Sequence, residues 1–172
     1  MFEKLKNAFN SLSAISVDEF VTAAYDGDIG TVSEFLGKNK SNIDAAADNG
    51  WTALTAAAVN GHLKVVQLLL ESGALIDQRN NGNRTALMLA ALQGHKNIVD
   101  YLFKQGASIG EKDHLDMTAL DWANLGHDDT GSVDTAKVVA LLEDAEKFSP
   151  ALKRSIPLPK PFRFSKNPKA TH

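Results

Sequence analysis

The chain has 172 residues, 44% of them hydrophobic, and a formal net charge of −3. This composition fits one soluble domain with enough apolar residues to bury a core, and no apolar run reaches transmembrane length. Cysteine is absent, which excludes disulfides, thiolate catalysis and cysteine-type zinc sites. Residues 149–172 hold 6 basic residues and no acid, whereas residues 1–148 hold 12 basic and 21 acidic residues, or −9. The end of the chain is therefore basic and the rest acidic.

The first residues, MFEKLKNAFNSLSAIS, place apolar side chains at helical spacing. These are Phe2, Leu5, Phe9 and Leu12. The spacing predicts an amphipathic N-terminal helix over residues 1–15. Because the segment lacks the continuous apolar centre of a secretory signal, we expect no export by that route and a cytoplasmic protein. Two interpretations remain for the helix: it covers the domain that follows, which we favour, or it lies on a membrane surface.

Residues 17–148 repeat with a period of 33 positions. The stretch NRTALMLAALQGHKNIVDYLFKQGASI, residues 83–109, falls on the stretch 33 positions earlier and shares its Thr-Ala-Leu, Gly-His and Gly-Ala pairs. A divergent first repeat begins with a capping box at Ser16 and Glu19, and one extra residue falls in its turn from Gly37 to Asn42. We predict four repeats, at residues 17–49, 50–82, 83–115 and 116–148.

Each repeat has the pattern of two short amphipathic helices separated by glycine. In the third repeat, Gly94 is predicted to end the first helix as a left-handed cap, and Gly106 to end the second. Helices this short are stable only when they pack on neighbouring repeats. The predicted fold class is therefore all-α: a solenoid of about four helix-turn-helix repeats.

The period, the Thr-Ala-Leu opening, the Gly-His pair and the Gly-Ala ending resemble ankyrin repeats. The sequence departs from the ankyrin signature at two positions of each repeat. Ala53, Ala86 and Ala119 stand in place of proline, and Thr55, Met88 and Asp121 stand in place of histidine. The resemblance implies an ankyrin-repeat solenoid that binds other proteins, and it makes His62 and His95 structural residues between repeats.

The fourth repeat starts in register at Thr118, but Val138 stands 40 rather than 33 positions beyond Ile98. We place the seven inserted residues in a loop over residues 126–134 between the two helices. Asp128, Asp129 and Asp134 make this loop acidic, but their spacing matches no EF-hand. A solvated loop without a metal is therefore expected.

Residues 149–172 contain all 5 prolines of the chain. Proline removes a backbone donor and disrupts helices, so we predict an extended, mobile tail that no helix runs through. Its 6 basic residues could bind acidic lipid or nucleic acid.

In proteins resembling this one, the binding surface is the inner, concave face of the stack, built from the turn tips and the ends of the first helices. By position, the tip residues are Asp48, Asn49, Trp51, Asn81, Gly82, Arg84, His114, Leu115 and Met117. The helix-end residues are Tyr25, Asp26, Val59, Asn60, Leu92, Gln93 and Leu125. Trp and Arg dominate measured interface energies, so Trp51 and Arg84 are the expected anchors. The alternative for Trp51 is packing on its own stack or under the tail.

Enzyme signatures such as HExxH, GxSxG, a phosphate loop or a Rossmann glycine pattern do not occur in the sequence. We therefore predict a monomeric protein-interaction module that binds another protein, with no catalysis, no small-molecule substrate, no cofactor and no metal. The alternative is an adaptor that attaches to an anionic membrane or nucleic acid through its basic tail and N-terminal helix.

Overall fold

The computed structural model describes the backbone of residues 15–130 and 133–152, with side chains for residues 15–126 and 134–147. Its α-helices are α1 Val17–Asp26, α2 Ile29–Asn39, α3 Ala53–Val59, α4 Leu63–Glu71, α5 Ala86–Leu92, α6 Lys96–Lys104, α7 Ala119–Thr130 and α8 Val133–Leu152. Within these described ranges, strand structure is limited to an isolated bridge between Ala46 and Thr52. The all-α prediction is confirmed. Residues 1–14 of the predicted N-terminal helix, and the tail beyond Leu152, lie outside the described residues.

Side-chain hydrogen bonds cap the N-terminus of the first helix of each repeat. In α1, Ser16 Oγ accepts from the Glu19 amide at 3.1 Å and the Glu19 carboxylate accepts from the Ser16 amide at 2.9 Å, as the capping box predicted. In α3 and α7, the residue that stands in place of the ankyrin histidine makes the equivalent hydrogen bond, because its side chain accepts from the amide of the N-cap residue. The Thr52 amide donates to Thr55 Oγ1 at 3.0 Å, and the Thr118 amide donates to Asp121 Oδ2 at 2.8 Å. The departures from the ankyrin signature therefore leave these helix starts capped.

The core follows the repeat period. The inner helices α1, α3, α5 and α7 pack in sequence against one another, and each of them pairs with the outer helix that follows it. Ala24, Ala57, Ala90 and Ala123 are fully buried at equivalent positions of the inner helices. A methyl side chain lets adjacent helices approach closely, so these alanines set the spacing of the stack. On the outer helices, Val66, Leu69, Val99 and Leu102 are also fully buried.

Aspartates link neighbouring repeats outside the helices. Asp44 Oδ1 accepts from the Leu75 amide at 2.9 Å, and Asp77 Oδ1 accepts from the Ser108 amide at 3.0 Å. Burial raises the pKa of Asp77, and the nearby Glu111 carboxylate adds to this, although the Ser108 hydrogen bond opposes it. The two aspartates are 33 positions apart, a recurrence that the sequence analysis did not use.

The predicted loop at residues 126–134 is wrong for the residues described. Helix α7 continues through Gly126 to Thr130, and α8 begins at Val133. A Cβ atom on Gly126 would lie 2.0 Å from the Leu92 carbonyl oxygen, so this glycine permits close helix packing. It does not form a left-handed cap, since its φ is not positive. The insertion lengthens the helices of the fourth repeat.

Two further boundaries differ from the sequence prediction. Helix α2 runs to Asn39 and continues as a 3-10 turn over Lys40–Asn42, so helical turns take up the extra residue of the first repeat. Helix α8 runs to Leu152, beyond the expected start of the tail at residue 149. Pro150 thus lies near the end of a helix, where its missing N–H forfeits one backbone hydrogen bond without ending the helix earlier.

Candidate functional site

Three turns with the same backbone geometry precede helices α3, α5 and α7. Each is closed by a hydrogen bond from the amide of its first residue to the carbonyl of its last, at 2.9 to 3.1 Å: Ala47 to Trp51, Asn80 to Arg84 and Asp113 to Met117. Each has one left-handed residue, which is Gly50, Asn83 or Asp116. Trp51, Arg84 and Met117 therefore occupy the same place in three successive turns, as the period predicted.

A polar side chain inside each turn fixes its shape. Asn80 Oδ1 accepts the amides two and four residues later, at 2.9 and 3.0 Å. Asp113, 33 positions on, accepts the equivalent amides at 2.8 and 3.1 Å. The first turn has Ala47 at this position, and Asn49 Oδ1 accepts from the Trp51 amide at 3.0 Å instead. The sequence analysis missed Asn80 and Asp113, although their recurrence could have identified them.

Histidines connect the second and third repeats to the helix end before them. His62 Nε2 lies 2.9 Å from the Tyr25 carbonyl oxygen, and His95 Nε2 lies 3.0 Å from that of Val59. A carbonyl can only accept, so each Nε2 carries the proton and donates. Asn60 Nδ2 also donates to the Tyr25 carbonyl, at 2.7 Å. The interpretation of both histidines as structural fits this geometry, and Asn60 is a linking residue as well.

Each of these histidine rings lies against a left-handed glycine. A Cβ atom on Gly27 would lie 2.6 Å from His62 Nδ1, and one on Gly61 would lie 2.8 Å from His95 Cε1. The third such glycine, Gly94, meets Thr135 rather than a histidine, at 2.7 Å from its Cγ2. The junction with the fourth repeat therefore uses different chemistry from the two before it.

Apolar side chains mark equivalent positions on successive inner helices. Tyr25 is 49% exposed and Leu125 is 40% exposed, while Val59 and Leu92 between them are half-buried. Leu125 lies inside α7, since that helix does not end where expected. The four residues form a partly exposed apolar row along the predicted binding face.

Trp51 is half-buried and packs against the core. Part of its surface lines a groove of about 360 Å³ between α1, α3 and the first turn. The groove is lined by Val21, Thr22, Tyr25, Asn49, Trp51 and Ala56. Trp51 thus packs on its own stack and still has part of its surface in the groove beside Tyr25. Its role as a binding anchor stays a prediction.

Arg84 belongs to a cluster that joins the second turn to the fourth repeat. Its Nε lies 3.5 Å from Asp113 Oδ2, and its guanidinium carbon lies 4.3 Å from the centre of the Trp122 ring. Trp122 Nε1 donates to the same Asp113 oxygen at 3.1 Å. Burial alone would raise the pKa of Asp113, but hydrogen bonds from the Leu115 and Met117 amides, the indole and the guanidinium lower it below its usual value. Asp113 is therefore ionised at neutral pH.

The predicted site residues differ in accessibility. The exposed ones are Tyr25, Asp26, Asp48, Asn49, Asn81, Gln93, His114, Leu115 and Leu125. The half-buried ones are Trp51, Val59, Asn60, Gly82, Arg84, Leu92 and Met117. Ile29 and Leu75 are also exposed, at 41% and 60%, but lie outside the predicted face.

Among the described residues, no three His, Asp or Glu side chains are grouped so that they could hold a metal ion. The side chains of Asp128 and Asp129 lie outside the described residues. None of the helices that the structure describes is long and apolar enough to cross a bilayer.

Paired helices stacked in register, with a turn projecting between successive pairs, define an α-helical repeat solenoid. A family model described as ankyrin repeats in three copies matches residues 20–113, more than half of the chain. The chain belongs to the ankyrin repeat family.

Similarity to individual proteins is confined to short stretches. Human NAD-capped RNA hydrolase NUDT12 is 43% identical over 63 residues, which are 37% of this chain and 14% of that protein. The protein of the same name from Macaca fascicularis is 44% identical over 57 residues, 33% of this chain and 12% of the relative. Mouse Ankyrin repeat and MYND domain-containing protein 1 is 36% identical over 62 residues, 36% of this chain and 7% of the relative. The hydrolase matches fall in the ankyrin region, so the shared part is the repeats.

Proposed function

We propose that this chain binds a partner protein through the concave face of its ankyrin stack and has no catalytic activity of its own. The concave face is defined here as the turns at residues 47–51, 80–84 and 113–117 together with the exposed surface of α1, α3, α5 and α7. Ankyrin repeats generally act as protein-interaction modules. We also propose that the protein is a cytoplasmic monomer that needs no cofactor or metal.

The observation that carries the proposal is the pairing of Tyr25 and Trp51 in one groove. Tyr25 is 49% exposed, and the groove beside it is open to a partner side chain. Tyr and Trp are the residue types that contribute most to interface energies, since they offer a large rigid surface at low entropic cost. The partly exposed apolar row along the inner helices also favours a binding surface over a purely solvated one.

The turns add preorganisation to this face. Asn49, Asn80 and Asp113 hold the turn backbones through hydrogen bonds to their amides. A partner would therefore meet a surface that is already ordered, which reduces the entropy lost on binding. Other exposed polar residues of the predicted face, such as Asn81 and Gln93, would exclude water and contribute under about 1 kcal/mol each.

Affinity capture with mass spectrometry tests the proposal by comparing the intact chain with a Tyr25→Ser variant. Leu75→Ser is the matched control, because Leu75 is 60% exposed but lies in the loop after α4, outside the concave face. We expect Tyr25→Ser to lose the specific partner and Leu75→Ser to keep it. Retention by Tyr25→Ser together with loss by Leu75→Ser would contradict the proposal.

The names of the relatives do not extend this proposal to catalysis. Hydrolysis of NAD-capped RNA is said of the human relative, and the match covers 14% of that protein. We therefore propose only the interaction role for this chain. The adaptor alternative depends on the N-terminal helix and the basic tail, and deletion of the tail, described below, separates it from concave-face binding.

A further inference from the structure

We propose that Arg84 is a carboxylate-binding residue of the concave face, so that the partner places an Asp or Glu side chain against it beside an apolar side chain. This inference rests on the proposed function and names the chemistry of its partner. It is carried by the fixed position of the Arg84 guanidinium and by the hydrogen-bond donors that it leaves unused.

Two hydrogen bonds hold the backbone of Arg84, one at its amide and one at its carbonyl. Its amide donates to Asn80 Oδ1 at 3.0 Å, and its carbonyl accepts from the Asn80 amide at 3.0 Å. The guanidinium then lies over Trp122 at 4.3 Å and beside Asp113 at 3.5 Å. A long side chain that is ordered before binding loses less entropy when a ligand arrives.

Most of the guanidinium donors remain available. Only Nε of Arg84 has a hydrogen-bond partner among the described residues, so the four N–H groups on Nη1 and Nη2 have none there. Arg79, in contrast, donates through Nη1 to the Lys112 carbonyl at 2.8 Å and through Nη2 to the Glu111 carboxylate. The Arg84 side chain is 34% exposed, so a ligand can reach part of it. Two adjacent Nη donors match the two oxygens of a carboxylate.

Asp113 only partly neutralises the positive charge of Arg84. Its two oxygens also accept from the Leu115 amide, the Met117 amide and the Trp122 indole, at 2.8, 3.1 and 3.1 Å. The carboxylate is thus shared among four donors, and the contact with Arg84 is the longest of them at 3.5 Å. Arg84 therefore keeps positive potential toward the exposed side, where a second carboxylate would be attracted.

The next turn supplies the apolar neighbour. Leu115 is 66% exposed and Met117 is half-buried in the turn that also holds Asp113. A partner segment that brings a carboxylate to Arg84 would place its neighbouring side chains over this apolar surface. The expected recognition element is therefore an acidic residue adjacent to an aliphatic or aromatic one.

Selection of a phage-displayed library of short random peptides on the full chain tests the inference. We expect the enriched peptides to carry Asp or Glu next to an apolar residue. For a synthesised binder, Arg84→Gln should weaken affinity at least about tenfold. Arg84→Lys, which keeps the charge but lacks the fork, should give an intermediate loss. Lys64→Gln on α4 is the matched control and should leave affinity unchanged.

Amidation of the peptide's acidic residue completes a double-mutant cycle. Asp→Asn or Glu→Gln in the peptide should weaken binding to the unchanged chain by about tenfold, but should have about twofold effect or less on Arg84→Gln. Enriched peptides without an acidic residue, or equal losses on both proteins, would overturn the inference and leave the proposed function standing. Peptides whose binding is unaffected by Tyr25→Ser and by every Arg84 change would contradict the proposed function itself. Thermal unfolding of Arg84→Gln and Arg84→Lys verifies that both variants are folded.

Discussion

His95 and Gly61 are matched across the joint between the second and third repeats. A Cβ atom on Gly61 would lie 2.8 Å from the His95 ring, whose Nε2 donates to the Val59 carbonyl at 3.0 Å. Gly61 also has a φ of 80°, which is left-handed. Glycine meets two requirements here, because it adopts this backbone conformation without strain and leaves room for the imidazole.

Replacement of Gly61 by alanine should destabilise the protein through both effects. Left-handed strain costs about 1 to 2 kcal/mol, and displacement of the His95 ring adds to this. In a His95→Ala background, only the strain should remain, so the two substitutions should be less than additive. Free energies of unfolding in denaturant for the four proteins of the cycle measure the difference.

Gly73→Ala is the control for that cycle. Gly73 has a φ of 102°, but nothing lies within 4 Å of a Cβ atom placed there. Its substitution should add independently to His95→Ala. Equal additivity for Gly61 and Gly73 would show that contact with the ring has no energetic role.

Asp113 should make a contribution to stability that is lost at low pH. Its folded-state pKa is lowered, so this contribution is fully present above the unfolded value of about 4 and is lost as pH falls through the lower folded value. Asp113→Asn should cost about 1 to 3 kcal/mol at neutral pH, because buried donors lose a charged acceptor. The variant should also lose less stability than the unchanged chain on acidification to about pH 2. Denaturant unfolding at several pH values measures both effects.

The contribution of Asp77 to stability should change with pH in the opposite direction. Its folded-state pKa is raised, so its contribution is most favourable below the unfolded pKa and declines as pH rises through the folded one. Asp77→Asn keeps an oxygen that can accept from the Ser108 amide and removes a partly desolvated charge near Glu111. We expect it to be neutral or stabilising at neutral pH. A loss as large as that of Asp113→Asn would contradict the assigned direction.

Truncation of Trp51 should affect folding as well as binding. Leu102 is fully buried, so Leu102→Ala should cost about 2 to 5 kcal/mol. Trp51 is half-buried against the core, so Trp51→Ala should fall below that range but above exposed Lys64→Ala, at under about 0.5 kcal/mol. Thermal and denaturant unfolding rank the three variants. A Trp51→Ala result equal to that of Lys64→Ala would mean that its packing contributes nothing.

Deletion of residues 153–172 separates the two classes of function. The deleted segment contains the 6 basic residues of the chain's end, which would drive any binding to an anionic surface. If the concave face is the site, the captured partner should remain bound after deletion and at raised salt. Loss of all binding, with steep salt dependence before deletion, would support the adaptor instead.

Local signals in the sequence predicted most of the fold. The 33-residue period, the capping box at Ser16 and the left-handed cap at Gly94 are each set by nearby residues, and the structure agrees with them. Gly126 was instead expected to begin a loop over residues 126–134. Its helical conformation depends on the Leu92 carbonyl beside it, which no local pattern reveals.

The sequence predicted which residues occupy equivalent positions in successive turns, but it did not predict which side chains they contact. Equivalence of Trp51, Arg84 and Met117 follows from the period. The contact of Arg84 with Trp122 depends on how the fourth repeat packs on the third, and Trp122 has no aromatic counterpart in earlier repeats. The linking role of Asn60 likewise required the position of the Tyr25 carbonyl, which is 35 residues away in sequence.

The joints between repeats also bear on how such a protein can change length. The contacts of His62 and His95, and those of Asp44 and Asp77, each use only residues of adjacent repeats and recur with the period. A duplicated unit placed between the second and third repeats would therefore bring its own complete set of joining groups. At the joint with the fourth repeat, Gly94 meets Thr135 where the two earlier joints have a histidine, so a unit duplicated there would not find the same contacts. Duplication therefore conserves the joining contacts only among the first three repeats.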